Sequence, residues 1–189
     1  MQHNLEIQYS IQKHAHCFAA WAASRAASVK DCRLTVERGR HLIEYCKLYE
    51  FNEPDQLPEP NEIDSHHRQW RNQICERSQA VDHGMTKPIH LTHGIAAKLI
   101  NIYLKSRFVC SGYHLHPRVA ALHPPIDRLL LESLAKKNFG GAGDVWKKAY
   151  RAGWSKLESS EYEDLIGLIR KNLDSRPLWM IEEYWRGHQ

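Results

Sequence analysis

The sequence predicts an all-α fold, a helical bundle wrapped around one long apolar helix. Apolar residues recur at helical spacing in segment after segment from Ile11 to Trp185. Proline- and glycine-marked breaks fall between those segments, at 52–61, 84–88 and 140–141. One stretch alternates instead: Leu5, Ile7, Tyr9 and Ile11 stand between polar residues. No second stretch offers it a partner strand, so it reads as an extended arm laid on the core.

The first helix begins near Ser10, where Ile11, Ala15, Phe18 and Ala22 recur at helical spacing. A dense set of alanines, among them Ala19, Ala20, Ala23 and Ala27, permits close approach of a neighbour. A second helix is predicted over Thr35–Tyr49 with Val36, Ile43 and Cys46 inward. A third covers about Glu62–Val81, with Ile63, Trp70 and Ile74 on one side. The central helix follows Thr92, an N-cap residue type. Another apolar helix begins at Asp127, behind Pro124-Pro125, and stops at Gly140-Gly141. A short helix then carries Trp146 and Tyr150. Ser160-x-x-Glu163 is a capping-box pattern and opens the next helix, with Tyr162, Ile166 and Ile169 inward. Ser175 and Pro177 start a last helix, with Leu178, Ile181 and Trp185 on one face, ended by Gly187. No repeat or clean linker divides the 189 residues, so residues 1–189 read as one domain.

Composition excludes more than it assigns. Lys and Arg number 26 against 22 Asp and Glu, a net charge of +4 that permits nucleic-acid binding without requiring it. The five cysteines are spread along the chain with no CxxC pair, which argues against a disulfide framework or a zinc ribbon. His14-x-His16, His66-His67 and His114-x-His116 lack metal-ligand spacing, so no metal site is expected. With no membrane-length apolar run and no secretory signal, the protein is expected to be soluble, intracellular and cytoplasmic.

The informative stretch is Thr92–Asp127. From Gly94 to about Val109 the chain is apolar over most of its circumference, and Lys98, Asn101 and Lys105 share one narrow polar stripe. One lysine therefore sits a turn into a central helix. The helix rises roughly 17 Å from Lys98 to Val109. Residues 110–124 can span about 50 Å. Asp127 can thus return beside Lys98, in a first helical turn where a carboxylate is favoured by the dipole.

Those residues resemble the helix-hairpin-helix DNA glycosylases, specifically the 8-oxoguanine DNA glycosylase branch. Gly94-Ile95-Ala96-Ala97-Lys98 is similar to that family's hairpin, and Pro125-Ile126-Asp127 to its Pro-hydrophobic-Asp motif. Ala96 stands where the family has its second hairpin glycine, and the Lys-to-Asp interval is longer than usual. The four-cysteine iron–sulfur spacing of some relatives is absent. The resemblance implies a hairpin and catalytic segment over residues 87–139, with the remaining helices forming the other lobe. It also implies a DNA glycosylase with AP lyase activity: Lys98 as nucleophile, Asp127 assisting, and backbone at Gly94 and Ala96 binding a DNA phosphate.

Further implications concern ligands. The partner would be double-stranded DNA with a damaged or modified base, an oxidised purine first, bound by a monomer. No cofactor is required beyond a monovalent cation that hairpin carbonyls can hold. Base contacts would come from the C-terminal helix, at Trp179 and Glu183. The loop residues His114, His116 and Arg118 are further candidates for DNA or base contact. A competing reading is a helix-hairpin-helix module that binds DNA without catalysis, and a third is a protein-interaction domain.

Overall fold

The computed structural model describes residues 9–80 and 87–187. Leu5 and Ile7 of the expected arm, and most of the break at 84–88, lie outside these residues. Among the described residues the fold is all-helical. No strand forms there, and the only β pairing is an isolated bridge between Val29 and Cys32. No described helix is long and apolar enough to cross a membrane.

Helix α1 (Ile11–Ala27) starts where Ser10 caps it, its side chain accepting from the Lys13 amide. Its buried face is not the stripe that begins at Ile11. His16, Ala19, Ala20, Ala23, Ser24 and Ala27 face inward, whereas Ile11 and Phe18 are exposed. The small residues decide this. Where α1 meets α2 (Val36–Tyr45), a Cβ on Gly39 would stand 2.0 Å from Ser24 Oγ. Helices that close leave no room for a large side chain. α2 ends before the expected Tyr49, at Cys46, and gives way to a 3₁₀ turn over Leu48–Glu50.

Helix α3 (Ile63–Ser78) buries Ile63, Trp70 and Ile74 as their spacing requires. α4 (His93–Leu104) lies between α1 and α3 on one side and the C-terminal elements on the other, and ten of its twelve residues are buried. It does not stop at Leu104 but loosens into a π-helical segment, Lys105–Tyr113. Gly112, at φ 96°, turns the chain out of it. A single turn, α5 (Pro117–Ala120), and an extended run lead to α6 (Arg128–Lys136).

α7 (Gly143–Ala152) and α8 (Ser159–Lys171) complete the helices. α8 starts two residues before the capping box read from sequence: Glu158 and Glu161 form the reciprocal pair. Ser159 and Glu163 are free to bond one another at 3.0 Å. The C-terminal segment Leu178–Tyr184 is 3₁₀ rather than α, with Leu178 and Ile181 buried.

Buried side chains gather in two clusters. One, formed by α1–α5, takes in most of α4; the other joins α6–α8 and the C-terminal segment and takes in Ala97 of α4. Trp154 packs against both. α4 is therefore the seam of the molecule.

Candidate active site

The polar stripe of α4 lies along that seam, and each of its three members finds a partner from the C-terminal half. Lys98 Nζ stands 3.2 Å from Asp127 Oδ2, with the two side chains 10% and 17% exposed. The Lys98 ammonium also lies 4.5 Å from the centre of the Trp154 ring, a cation–π distance. Lys105 pairs with Glu182. Asn101, one turn beyond Lys98, donates to the carbonyl of Pro124 and to the Tyr162 hydroxyl, both at 2.9 Å, and pairs with His67 Nε2 at 2.7 Å.

Asp127 is held from three sides. It is the N-cap of α6 rather than a first-turn residue: φ −141° and ψ 179° are extended, and its Oδ1 accepts the Leu130 amide at 2.9 Å. Its Oδ2 accepts from Trp185 Nε1 at 3.0 Å as well as from Lys98. The chain that delivers it is pinned three residues earlier by Asn101 at Pro124, and four residues earlier by His123. That histidine meets Asp64 at 2.8 Å and the Tyr162 hydroxyl at 3.1 Å. Asp64 is in turn gripped by both terminal nitrogens of Arg170, at 2.7 and 2.9 Å.

Burial is the largest influence on Lys98 and pulls its pKa below the ordinary lysine value, and Asp127 opposes it. Glu182 is pushed the other way. Burial raises its pKa, Asp127 adds to the rise, and Lys105 pulls it back. The seam thus places an amine that gives up its proton more readily than usual beside a fixed carboxylate.

Other expected site residues are not assembled with this pair. Gly94 is buried under the 154–157 segment, and Ala96 is buried in the core formed by α1–α5. The Gly94 amide donates to the Leu157 carbonyl at 3.0 Å, Ile95 to Thr92 Oγ1 at 3.3 Å, and Ala96 to the Thr92 carbonyl at 3.0 Å. A Cβ on Gly94 would lie 1.9 Å from the Trp154 carbonyl oxygen, so this glycine serves close packing. The phosphate expected on the Gly94 and Ala96 amides has no free donor there. A monovalent cation on the hairpin carbonyls would need the same turn open. Trp154 O packs against Gly94 there, and the Thr92 and Leu157 carbonyls each accept an amide.

Trp179 donates its ring N–H to the His114 carbonyl at 3.1 Å, and Glu183 is exposed and pairs with Arg176 at 3.5 Å. Trp179 and Glu183 thus engage partners other than Lys98 and Asp127, while Glu182 and Trp185, three apart in a 3₁₀ turn, meet Lys105 and Asp127. His116 and Arg118 fasten α5 to Asp55 and Glu59. Trp154, Glu182 and Trp185 are the members of the site that sequence reasoning missed. Their partners lie 56, 77 and 58 positions away in the chain, beyond any local pattern.

Comparison with known protein families, curated proteins and solved structures finds no match to this chain.

Proposed function

We propose that this protein is a DNA base-excision glycosylase with associated AP lyase activity. It acts on duplex DNA carrying a damaged or modified base, an oxidised purine such as 8-oxoguanine being the first to try. The observation that supports the reading is the Lys98–Asp127 pair itself: a 3.2 Å amine–carboxylate contact, largely shielded from water, at the seam of two cores.

In this role the neutral Lys98 amine attacks C1′ while the C1′–N bond breaks, and its electron pair leaves with the base, which takes up a proton. Asp127 faces the positive charge that develops on the sugar. Loss of a proton from the new C–N nitrogen and opening of the ring, with O4′ taking a proton, give a Schiff base. Removal of a C2′ proton then expels the 3′ phosphate by β-elimination. The nucleotide must leave the stack to reach Lys98, and Trp154 and Trp185 beside the pair offer flat faces against which an extruded base can rest. A different modified base, including one belonging to foreign DNA, uses the same chemistry.

A non-catalytic hairpin module would depend on free amides at Gly94 and Ala96, and those amides are occupied. DNA phosphates would then be met by side chains. Incubating the protein with a panel of lesion-bearing and abasic duplexes in the presence of borohydride separates the readings. A covalent adduct that disappears with Lys98→Gln supports the enzyme. Salt-sensitive binding without an adduct supports the module, and absence of any DNA affinity supports a protein-interaction domain.

A further inference from the structure

Helix α1 carries an outward stripe that the fold does not use. Ile11, His14, Phe18, Trp21 and Arg25 lie at i, i+3, i+7, i+10 and i+14, on one side of the helix, and all are exposed. Phe18 and Trp21 are 58% and 50% exposed, large values for aromatic side chains, and their ring centres are 5.8 Å apart. Between residues 9 and 30 the sequence contains no carboxylate.

At the C-terminal end of this stripe lies an open hollow of about 590 Å³, to which Arg25, Lys30 and Arg33 contribute and no acidic residue does. Asp31 and Glu37, the nearest acids in sequence, do not line it. Several arginines elsewhere are tied down, Arg68 and Arg71 to Glu163, Arg118 to Glu59 and Arg170 to Asp64. Among the described residues, the side chains of Arg25, Lys30 and Arg33 have no hydrogen bond or ion pair. Two exposed rings and three uncommitted cations are thus arranged in line.

We propose that this surface binds single-stranded nucleic acid, with bases stacking on Phe18 and Trp21 and phosphates running into the Arg25, Lys30 and Arg33 hollow. Rings that accept any base face, beside a cationic track for the backbone, are what sequence-tolerant single-strand binding requires. An anionic membrane fits less well. The opposite side of α1 is packed against α2 and α4, so a headgroup layer can take in the exposed side chains of the stripe and not the helix itself. The cations also continue the ring stripe rather than flank it. The inference is independent of the Lys98 chemistry, because α1 packs on the side of α4 away from the C-terminal half.

The test is fluorescence anisotropy of a labelled twelve-residue oligo(dT) titrated with the full chain over a range of salt. The wild-type protein is expected to bind it. Phe18→Ala with Trp21→Ala should weaken binding at least tenfold, with circular dichroism melting unchanged. Arg25→Ala with Arg33→Ala should flatten the log–log salt slope by about 1.4, roughly 0.7 for each phosphate that is no longer neutralised. Neither double variant alters Lys98 or Asp127, and borohydride trapping on an abasic-site duplex reads the glycosylase proposal separately, so the two can fail independently. The proposal is overturned if the oligonucleotide does not bind, or if both double variants bind it as tightly as the wild type. Preference for phosphatidylglycerol–phosphatidylcholine vesicles over the oligonucleotide would overturn it as well.

Discussion

Helices α1 and α4 are packed neighbours, α1 rich in alanine and α4 in branched apolar residues, and the fold treats their odd stripes in opposite ways. α4 and the residue after it set a polar stripe at the seam of two cores, with Lys98 and Asn101 buried and Lys105 half-buried, and each member acquires a dedicated partner: Asp127 for Lys98, Pro124 with Tyr162 and His67 for Asn101, and Glu182 for Lys105. α1 exposes an apolar stripe and gives Trp21 and Phe18 little beyond each other. A buried polar group must be matched, because leaving it unmatched is expensive. An exposed apolar group carries a much smaller penalty. The first situation fixes geometry, and the second leaves a surface uncovered.

The comparison can be strained hardest at Asn101. Replacing it by Leu leaves the Pro124 carbonyl, the Tyr162 hydroxyl and His67 Nε2 without their partner, and should destabilise the protein by about 3 kcal/mol in urea unfolding. Gly94→Ala should follow at about 2 kcal/mol, since the new methyl meets the Trp154 carbonyl, a backbone atom that can yield only if the covering segment shifts. Ala20→Val, on the fully buried face of α1, should fall between about 1 and 3 kcal/mol by overpacking. Phe18→Ser and Trp21→Ser, on the exposed face of the same helix, should change stability by no more than about 0.5 kcal/mol. Equal effects on the two faces of α1 would erase the contrast.

Acid should act on the buried side of the comparison. His67 and His123 are held neutral chiefly by burial, so their folded pKa values lie below the ordinary histidine value near 6.5. The unfolded chain therefore binds more protons as pH falls below about 6.5, and the stability these groups confer at neutral pH is progressively lost. Glu163, held down to about 2 by Arg68 and Arg71, adds loss in the same direction further into acid. Unfolding midpoints measured from pH 7.5 to 5 should fall, and His67→Gln should make that fall shallower.

Much of this architecture is legible in residue spacing. Thr92 starts α4, the Lys98, Asn101 and Lys105 stripe marks where polar partners must converge, and Ile63, Trp70 and Ile74 lie inward on α3. Apolar spacing alone does not single out the buried face of α1, because it weights large side chains. Backbone approach at Ser24 and Gly39 instead rewards the smallest. Trp154 and Trp185 at the site, and the cover over Gly94, arise from contacts between distant segments that no periodicity encodes. The π-helical stretch after Leu104 is likewise invisible, since no proline or glycine marks a change of winding before Gly112.

The central claim is that the Lys98 amine beside Asp127 forms the covalent bond to DNA. Borohydride reduction on an abasic-site duplex, followed by proteolysis and mass spectrometry of the cross-linked peptide, addresses it directly. The account predicts a single adduct on Lys98, formed with a pH midpoint below that of a free lysine amine. An adduct on any other residue, or undiminished trapping by Lys98→Gln, would contradict it.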